Sequence, residues 1–233
     1  MDKDLIIVVP VYNEEASLQP LIEDWRNLLT SIEVSYQFLF IDDGSTDQSL
    51  AILKTSQQTS PDIFVLSQLN AGHGPAILSG YREACKAQWV LQIDSDHQLA
   101  TDAFPELWRS REDYDLLLGQ RLKKHAAAGR RLISSATWLL LQSLFGPAPK
   151  DINCPYRLFR GPALTSALAH IPADSFAPNV LLTAWFVHRR MRILTIPVFP
   201  NDNIPTRKSK FNLYFLRGSL RALSQTILFK FRL

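Results

Sequence analysis

Hydrophobic positions in the first half of the chain fall into short runs separated by longer amphipathic stretches. "LIIVVPV", Leu5 to Val11, is continuously apolar and rich in Ile and Val, which predicts a strand covered on both faces. A helical pattern follows over roughly Glu15 to Leu29. "YQFLFI", Tyr36 to Ile41, predicts a second strand that runs into "DDGSTD", where Ser45 or Thr46 would cap the next helix and Asp47 would sit favourably in its first turn. "DIFVLS" at 62–67 reads as a third strand, Pro75 to Lys86 as a helix and Trp89 to Ile93 as a fourth strand. Strands that alternate with helices imply a parallel sheet with crossover helices.

In the second half the alternation weakens. "YDLLLGQR" predicts one more strand, "GRRLISSATWLLLQSLFG" a helix with a wide apolar face and a basic start, and "INCPYRLF" a strand or extended segment. Residues 177–188 read as a helix, "RILTIPVF" as a strand and "FPNDNIPTRKSK" as a long loop. From Phe211 to Phe231, Leu213, Leu216, Leu220, Leu223, Ile227 and Phe231 recur at spacings of three and four beside Arg217 and Arg221. That is a basic amphipathic helix, suited to a membrane surface or, alternatively, to the protein's own core. No internal repeat or linker is visible, so 1–233 reads as one domain.

In a parallel α/β sheet, ligands bind outside the carboxyl ends of the strands. Every unusual polar cluster of the first half falls there: "YNEE" after the first strand, "DDGSTD" after the second, "NAGHG" after the third and "DSDHQ" after the fourth. Polar loops are ordinary, but recurring acids and glycines at one edge are not explained by polarity alone. The fourth cluster is the most specific. Asp94 and Asp96, delivered by a buried strand, would repel each other unless a cation offset the charge. Gln98 adds a carbonyl oxygen, and three hard oxygen donors suit Mg²⁺ or Mn²⁺, whose shell substrate phosphates commonly complete. The glycines of "NAGHG" would let the backbone approach a ligand closely. Neither G-x-G-x-x-G after the first strand nor G-x-x-x-x-G-K-[ST] is present, which removes the ordinary dinucleotide and kinase readings.

Charge sharpens this picture. The net charge is +3, yet residues 1–116 carry 7 Lys and Arg against 19 Asp and Glu, and residues 117–233 carry 18 against 3. An acidic half suits a cation, and a basic half suits phosphates, nucleic acid or a membrane surface; mutual attraction of the halves is the plainer reading. Cys85 and Cys154 have neither metal-ligand spacing nor the density of a disulfide scaffold, which favours a reducing compartment. The acidic start carries no signal-peptide pattern, and no stretch approaches the roughly 20 apolar residues that span a bilayer.

"VVPVYNEEASL", "FIDDGSTD", "NAGHGPAILSGY", "LQIDSDHQ", "GQR" and "DINCPYRLF" together, and in that order, resemble the family 2 glycosyltransferases of the GT-A fold, a Rossmann-like, mostly parallel sheet flanked by helices. Within them the chain is similar to the dolichyl- or polyprenyl-phosphate sugar transferases. The resemblance implies that Pro10, Tyr12 and Glu14 border the nucleotide, with Tyr12 against the base and Glu14 at the ribose, and that Asp43 contacts base or ribose. Gly72 and Asp94 would join the nucleotide-sugar site. Asp94, Asp96 and Gln98 would hold the metal, with Asp96 and Arg121 as the catalytic pair and Arg121 facing the phosphates. Arg130, Arg131 and Ser134 would hold the acceptor phosphate, joined by Arg207 and Lys210 from a late basic motif. Three departures stand out: Ala71 where the family commonly has a basic residue, Asn179 where relatives often keep an acid, and a late motif without its glycine.

The expected reaction is therefore inverting, metal-dependent transfer of a sugar from a nucleotide diphosphate sugar to a polyprenyl phosphate. It would occur at an anionic membrane surface, peripherally on the cytoplasmic face, with no role for nucleic acid. Two rivals are a transferase acting on a sugar hydroxyl, which would need a general base, and a non-catalytic membrane-recruited binding module.

Overall fold

The computed structural model describes residues 3–122, 128–204 and 213–233, with the side chains of 128–132 and 213–216 outside the described set. Seven strands form one sheet in the order β3-β2-β1-β4-β6-β5-β7. β1 (Leu5–Val11), β2 (Tyr36–Asp42), β3 (Ile63–Ser67) and β4 (Trp89–Gln92) are joined by α1 (Glu15–Ser31), α2 (Ser49–Thr59) and α3 (His73–Ala84). β1 pairs parallel with both β2 and β4. The strands of residues 117–233 extend the same sheet, so the acidic and basic halves share one structural layer.

The register explains why these runs had to be apolar throughout. Along β1, Ile6 and Val8 enter one core, with α3 (Ile77, Leu78, Tyr81), α6 (Gly161–Leu168) and α7 (Pro178–His188). Leu5, Ile7, Val9 and Val11 enter the other, with α1 and α4 (Phe104–Ser110). All seven residues of β1 are buried, and each such aliphatic side chain contributes roughly 1.5–3 kcal/mol relative to exposure. α1 supplies Leu18, Leu21, Ile22, Trp25 and Leu29 at helical spacing, one stripe facing that second core.

The second half is where the mostly parallel sheet becomes mixed. β5 (Leu116–Arg121) and β7 (Ile193–Val198) pair parallel, but β6 (Arg157–Arg160) runs antiparallel between β4 and β5. Its local pattern carried burial and not direction, because both orientations place the same faces against the two cores. α4 and α6, only 7 and 8 residues long, have no counterpart in the sequence pattern, being too short to show a period.

α5 (Ala128–Phe145) and α8 (Leu213–Lys230) pack against each other, and both touch α7. α8 buries Gly218, Thr226 and Phe229. Leu220, Ile227, Leu228 and Phe231 are exposed, Phe231 by 83%. Trp138 of α5 turns inward, its indole N–H donating to the Ala148 carbonyl, while its neighbour Leu139 is exposed. Among the described residues no helix is long and apolar enough to cross a membrane. Both cysteines are free.

Candidate active site

The loops after β1 and β2 hold each other. Asn13, in the left-handed region at φ 55°, accepts from the Thr46 N–H at 2.8 Å, and Ser45 Oγ accepts from the Asn13 N–H. Asp47 accepts from Glu15 N–H and Ser49 N–H. Burial pushes the Asp47 carboxyl up, and these donors more than reverse it, leaving it below the usual carboxylate range. α2 accordingly starts at Ser49, later than a Ser45 or Thr46 cap would place it. Those two side chains face the neighbouring loop and not the helix, a partner that local sequence cannot reveal.

These braced loops surround a cavity of about 370 Å³ at the carboxyl edge of the sheet. Pro10, Tyr12, Glu14, Asp43, Gly72, Asp94 and Asp96 all line it. Tyr12 keeps 49% of its surface exposed, leaving its ring available to a ligand. Asp43 is buried, and its carboxylate accepts from Gln68 Nε2 at 2.7 Å, Ala71 N–H at 2.9 Å and Gly72 N–H at 2.9 Å. Its visible work is to fix the 68–72 loop, the cavity's far wall. Asn70, His73 and Ser95 also line the cavity, and each lies inside a polar cluster that the sequence marks without being singled out there.

Gly72 sits at φ 95°, ψ 162°, a conformation that side chains rarely adopt, while a Cβ there would meet no atom within 4 Å. Gly72→Ala should therefore destabilise by about 1–3 kcal/mol through backbone strain alone. Chemical denaturation checks this, with a lower midpoint and an unchanged slope expected.

Asp94 and Asp96 leave the end of β4 on either side of the buried Ser95 and also line a narrow crevice, together with Gln98. The Gln98 N–H donates to Asp96 Oδ1 at 3.3 Å, closing the turn that brings the three side chains to one place. His73 Nε2 lies 3.8 Å from Asp94 Oδ1. Among the described residues no group of three or more His, Cys, Asp and Glu is poised around an ion. The available donor set is two carboxylates and a carboxamide, which fits a hard divalent ion sharing its shell with phosphate oxygens.

A second cavity of about 640 Å³ adjoins the first at Gly72, His73 and Asp94. Arg121, Arg217 and Arg221 line it, with Asn153, Asp174 and Asn179. Arg121 donates twice to Asp151, Nε to Oδ2 at 2.8 Å and Nη2 to Oδ1 at 2.9 Å. Burial pulls the guanidinium pKa down, and the paired carboxylate more than restores it, so the group stays charged. Arg221 pairs with Asp174. The segment that carries Asn153 and Pro155 is held by Arg157, fully buried, which donates to the carbonyls of Ile152, Cys154 and Asn179.

Not every sequence candidate meets these cavities. Ser134 is exposed on α5 and lines neither of them. The side chains of Arg130 and Arg131, and the whole of Arg207 and Lys210, lie outside the described residues.

A mixed, mostly parallel seven-stranded sheet whose strand ends gather acids and glycines around one cavity defines an α/β domain of the GT-A class. The chain belongs to glycosyl transferase family 2, whose model matches residues 6–161. Among curated relatives, it is 31% identical over 175 residues to the undecaprenyl-phosphate 4-deoxy-4-formamido-L-arabinose transferase of Pseudomonas fluorescens, covering 74% of this chain and 51% of that protein. The Salmonella choleraesuis protein of the same name is 29% identical, covering 82% and 58%. The chain thus spans about half the length of these relatives. Among solved structures, glucosyl-3-phosphoglycerate synthase from Mycobacterium tuberculosis, in complex with Mn²⁺, uridine-diphosphate-glucose and phosphoglyceric acid, superposes with a TM-score of 0.71 at 18% identity, covering 98% of this chain and 80% of that one. Staphylococcus aureus TarS in complex with UDP gives 0.60 at 18% identity, covering 97% and 65%.

Proposed function

We propose that this chain is an inverting, metal-dependent glycosyltransferase that moves a sugar from a nucleotide diphosphate sugar to a polyprenyl phosphate, with residues 1–233 acting as one transferase domain. The observation that carries the reading is the junction of the two cavities. An acid-lined pocket of donor-site residues opens at Asp94 into a pocket lined by three arginines. Such a pair suits a metal-bound diphosphate on one side and an anionic acceptor on the other. Family membership and the curated relatives, named for transfer to undecaprenyl phosphate, support the same assignment.

In this reading Tyr12 stacks on the base, Glu14 meets the ribose and Gly72 lets the backbone approach the donor. Asp94, Asp96 and Gln98 hold Mg²⁺ or Mn²⁺, which when bound neutralises charge on the diphosphate. An oxygen of the acceptor phosphate attacks the anomeric carbon. The bond from that carbon to the diphosphate breaks, and its electron pair leaves on the diphosphate. Arg121 faces that departing charge. No proton need be removed, because the acceptor is already an anion and needs only orientation. Arg130, Arg131, Ser134, Arg207 and Lys210 are assigned to the acceptor phosphate by family resemblance, and Arg217 joins them as the arginine of the second cavity for which no carboxylate partner is seen among the described residues.

The test is direct. Nucleotide sugars are screened by thermal shift with Mn²⁺, since a ligand that favours the folded state raises its melting temperature. The donor so found is then incubated with undecaprenyl phosphate. A sugar-phosphate lipid is the expected product, and its absence with every stabilising donor rules the reading out.

Peripheral attachment to the cytoplasmic face of an anionic membrane belongs to the same proposal. Leu220, Ile227 and Leu228 point out from α8, Phe231 is exposed just past its end, and the same helix carries Arg217, Arg221 and Lys230. Each basic residue near anionic headgroups contributes about 1 kcal/mol, and this term is screened by salt. The chain should sediment with phosphatidylglycerol vesicles at low ionic strength and less at high salt, and Phe231→Ser with Ile227→Ser should weaken the binding further. Recovery in the supernatant at low salt would make the helix purely structural.

A further inference from the structure

Gln92 breaks the apolar run "WVLQI" with a carboxamide that is fully buried at the end of β4. Three groups enclose it. Its Nε2 donates to Asp94 Oδ1 at 3.1 Å, and its Oε1 accepts from Asn179 Nδ2 at 2.8 Å. The Tyr81 hydroxyl lies 3.0 Å from both Gln92 Oε1 and Asn179 Oδ1 and donates between them. The orientation of this amide is dictated. An oxygen turned toward Asp94 would set two acceptors against each other, so the N–H must face the carboxylate and the oxygen must receive Asn179. Asn179 is fixed in turn, because its backbone carbonyl accepts from Arg157 and from Thr183 Oγ1. Burial drives the Tyr81 hydroxyl pKa upward, so it remains a donor at any working pH.

The geometry points to Gln92 as the positioning residue of the metal site, with Tyr81 and Asn179 as its lock. The inference rests on the metal-dependent reading above. Gln92 engages one oxygen of Asp94 from behind and thereby sets the rotamer in which the other is offered to the ion. A carboxylate held this way loses no rotational freedom when the ion arrives. The relay also accounts for Asn179 at the wall of the second cavity: its carboxamide is committed to Gln92 and Tyr81.

Mn²⁺ binding read by the EPR signal of the free ion, at saturating UDP, tests this without reference to turnover. Gln92→Met removes both functions without adding charge, and Gln92→Glu keeps the oxygens that Tyr81 and Asn179 need but sets a second acid against Asp94 in place of the N–H. Loss of a group that orients a ligand costs roughly 10–100-fold in metal affinity, so both variants should raise the apparent Kd for Mn²⁺ at least tenfold. UDP binding without metal should stay within about twofold of wild type, which a merely structural defect would not allow. Tyr81→Phe, which leaves the Asn179 donor in place, should cost less than either. Mn²⁺ affinities within twofold of wild type in folded Gln92→Glu and Gln92→Met would overturn the positioning role alone. A wild-type protein that binds UDP equally with and without Mn²⁺ would overturn the metal reading and this inference with it.

Discussion

Asp96→Asn is expected to reduce sugar transfer by about 10³-fold, corresponding to ~4 kcal/mol of transition-state stabilisation, while the protein remains folded. The size of the effect follows from where the charge moves. In the proposed reaction the leaving diphosphate gains negative charge as the glycosidic bond breaks, at a site already lined by Asp94, Asp96, Glu14 and Asp43. Without a cation those carboxylates would oppose departure; an ion held by Asp94 and Asp96 would offset them. Asn retains an oxygen for the Gln98 N–H that Asp96 now accepts, so the turn survives. Steady-state rates with Mn²⁺ and with chelator, alongside thermal melts, check both halves. Equal wild-type activity with chelator and with Mn²⁺ would remove the metal from the mechanism.

A polyprenyl phosphate should be turned over at least about 10³-fold faster than the matching polyprenol, because a lipid alcohol must lose a proton to a positioned base whereas a phosphate arrives ionised. The structure narrows the search for such a base. Asp151 is buried and doubly bonded to Arg121, Asp174 is paired with Arg221, and Asp202 is exposed in a turn and lines neither cavity. Asn179, committed to Gln92, cannot accept a proton at neutral pH. Arg217→Glu should raise the KM for the phosphate acceptor and leave donor binding unchanged. Arg121→Ala is the poorer probe, since it would also take from the buried Asp151 the two guanidinium hydrogen bonds and so disturb the fold as well as the phosphates. Glycosylated polyprenol at a comparable rate would point to the hydroxyl-acceptor mechanism, with His73, at the junction of the two cavities, as the base to remove next.

Read from the pattern alone, the first half was almost fully legible. Four apolar runs, three helices between them and four polar clusters at the same strand ends require little beyond periodicity and the rule that ligands bind where parallel strands end. Asp94, Asp96 and Gln98 stood out for the same reason: carboxylates seldom follow a buried run without a task. Legibility fell where partners are distant in sequence. Ser45 and Thr46 resemble helix caps, yet one accepts from Asn13 and the other donates to it across 32 and 33 residues.

What the sequence by itself determined was the class of sheet, the edge at which its acids and glycines gather, and the division of charge between an acidic first half and a basic second half. Those properties are local or additive and survive in any arrangement of the elements. Tertiary structure alone decided the rest. The antiparallel insertion of β6 is a choice of direction to which burial is indifferent. The pairing of Arg121 with Asp151 joins residues 30 apart, and the relay from Asn179 through Gln92 to Asp94 joins residues 87 apart and then 2. α8 exposes Leu220 and Ile227 of the apolar repeat, with Phe231 exposed just past its end, and buries Thr226 and Phe229 in their place. A repeat of three and four says that a helix has a greasy face; which face the core accepts depends on the shape of α5 and α7, which no stretch of α8 encodes.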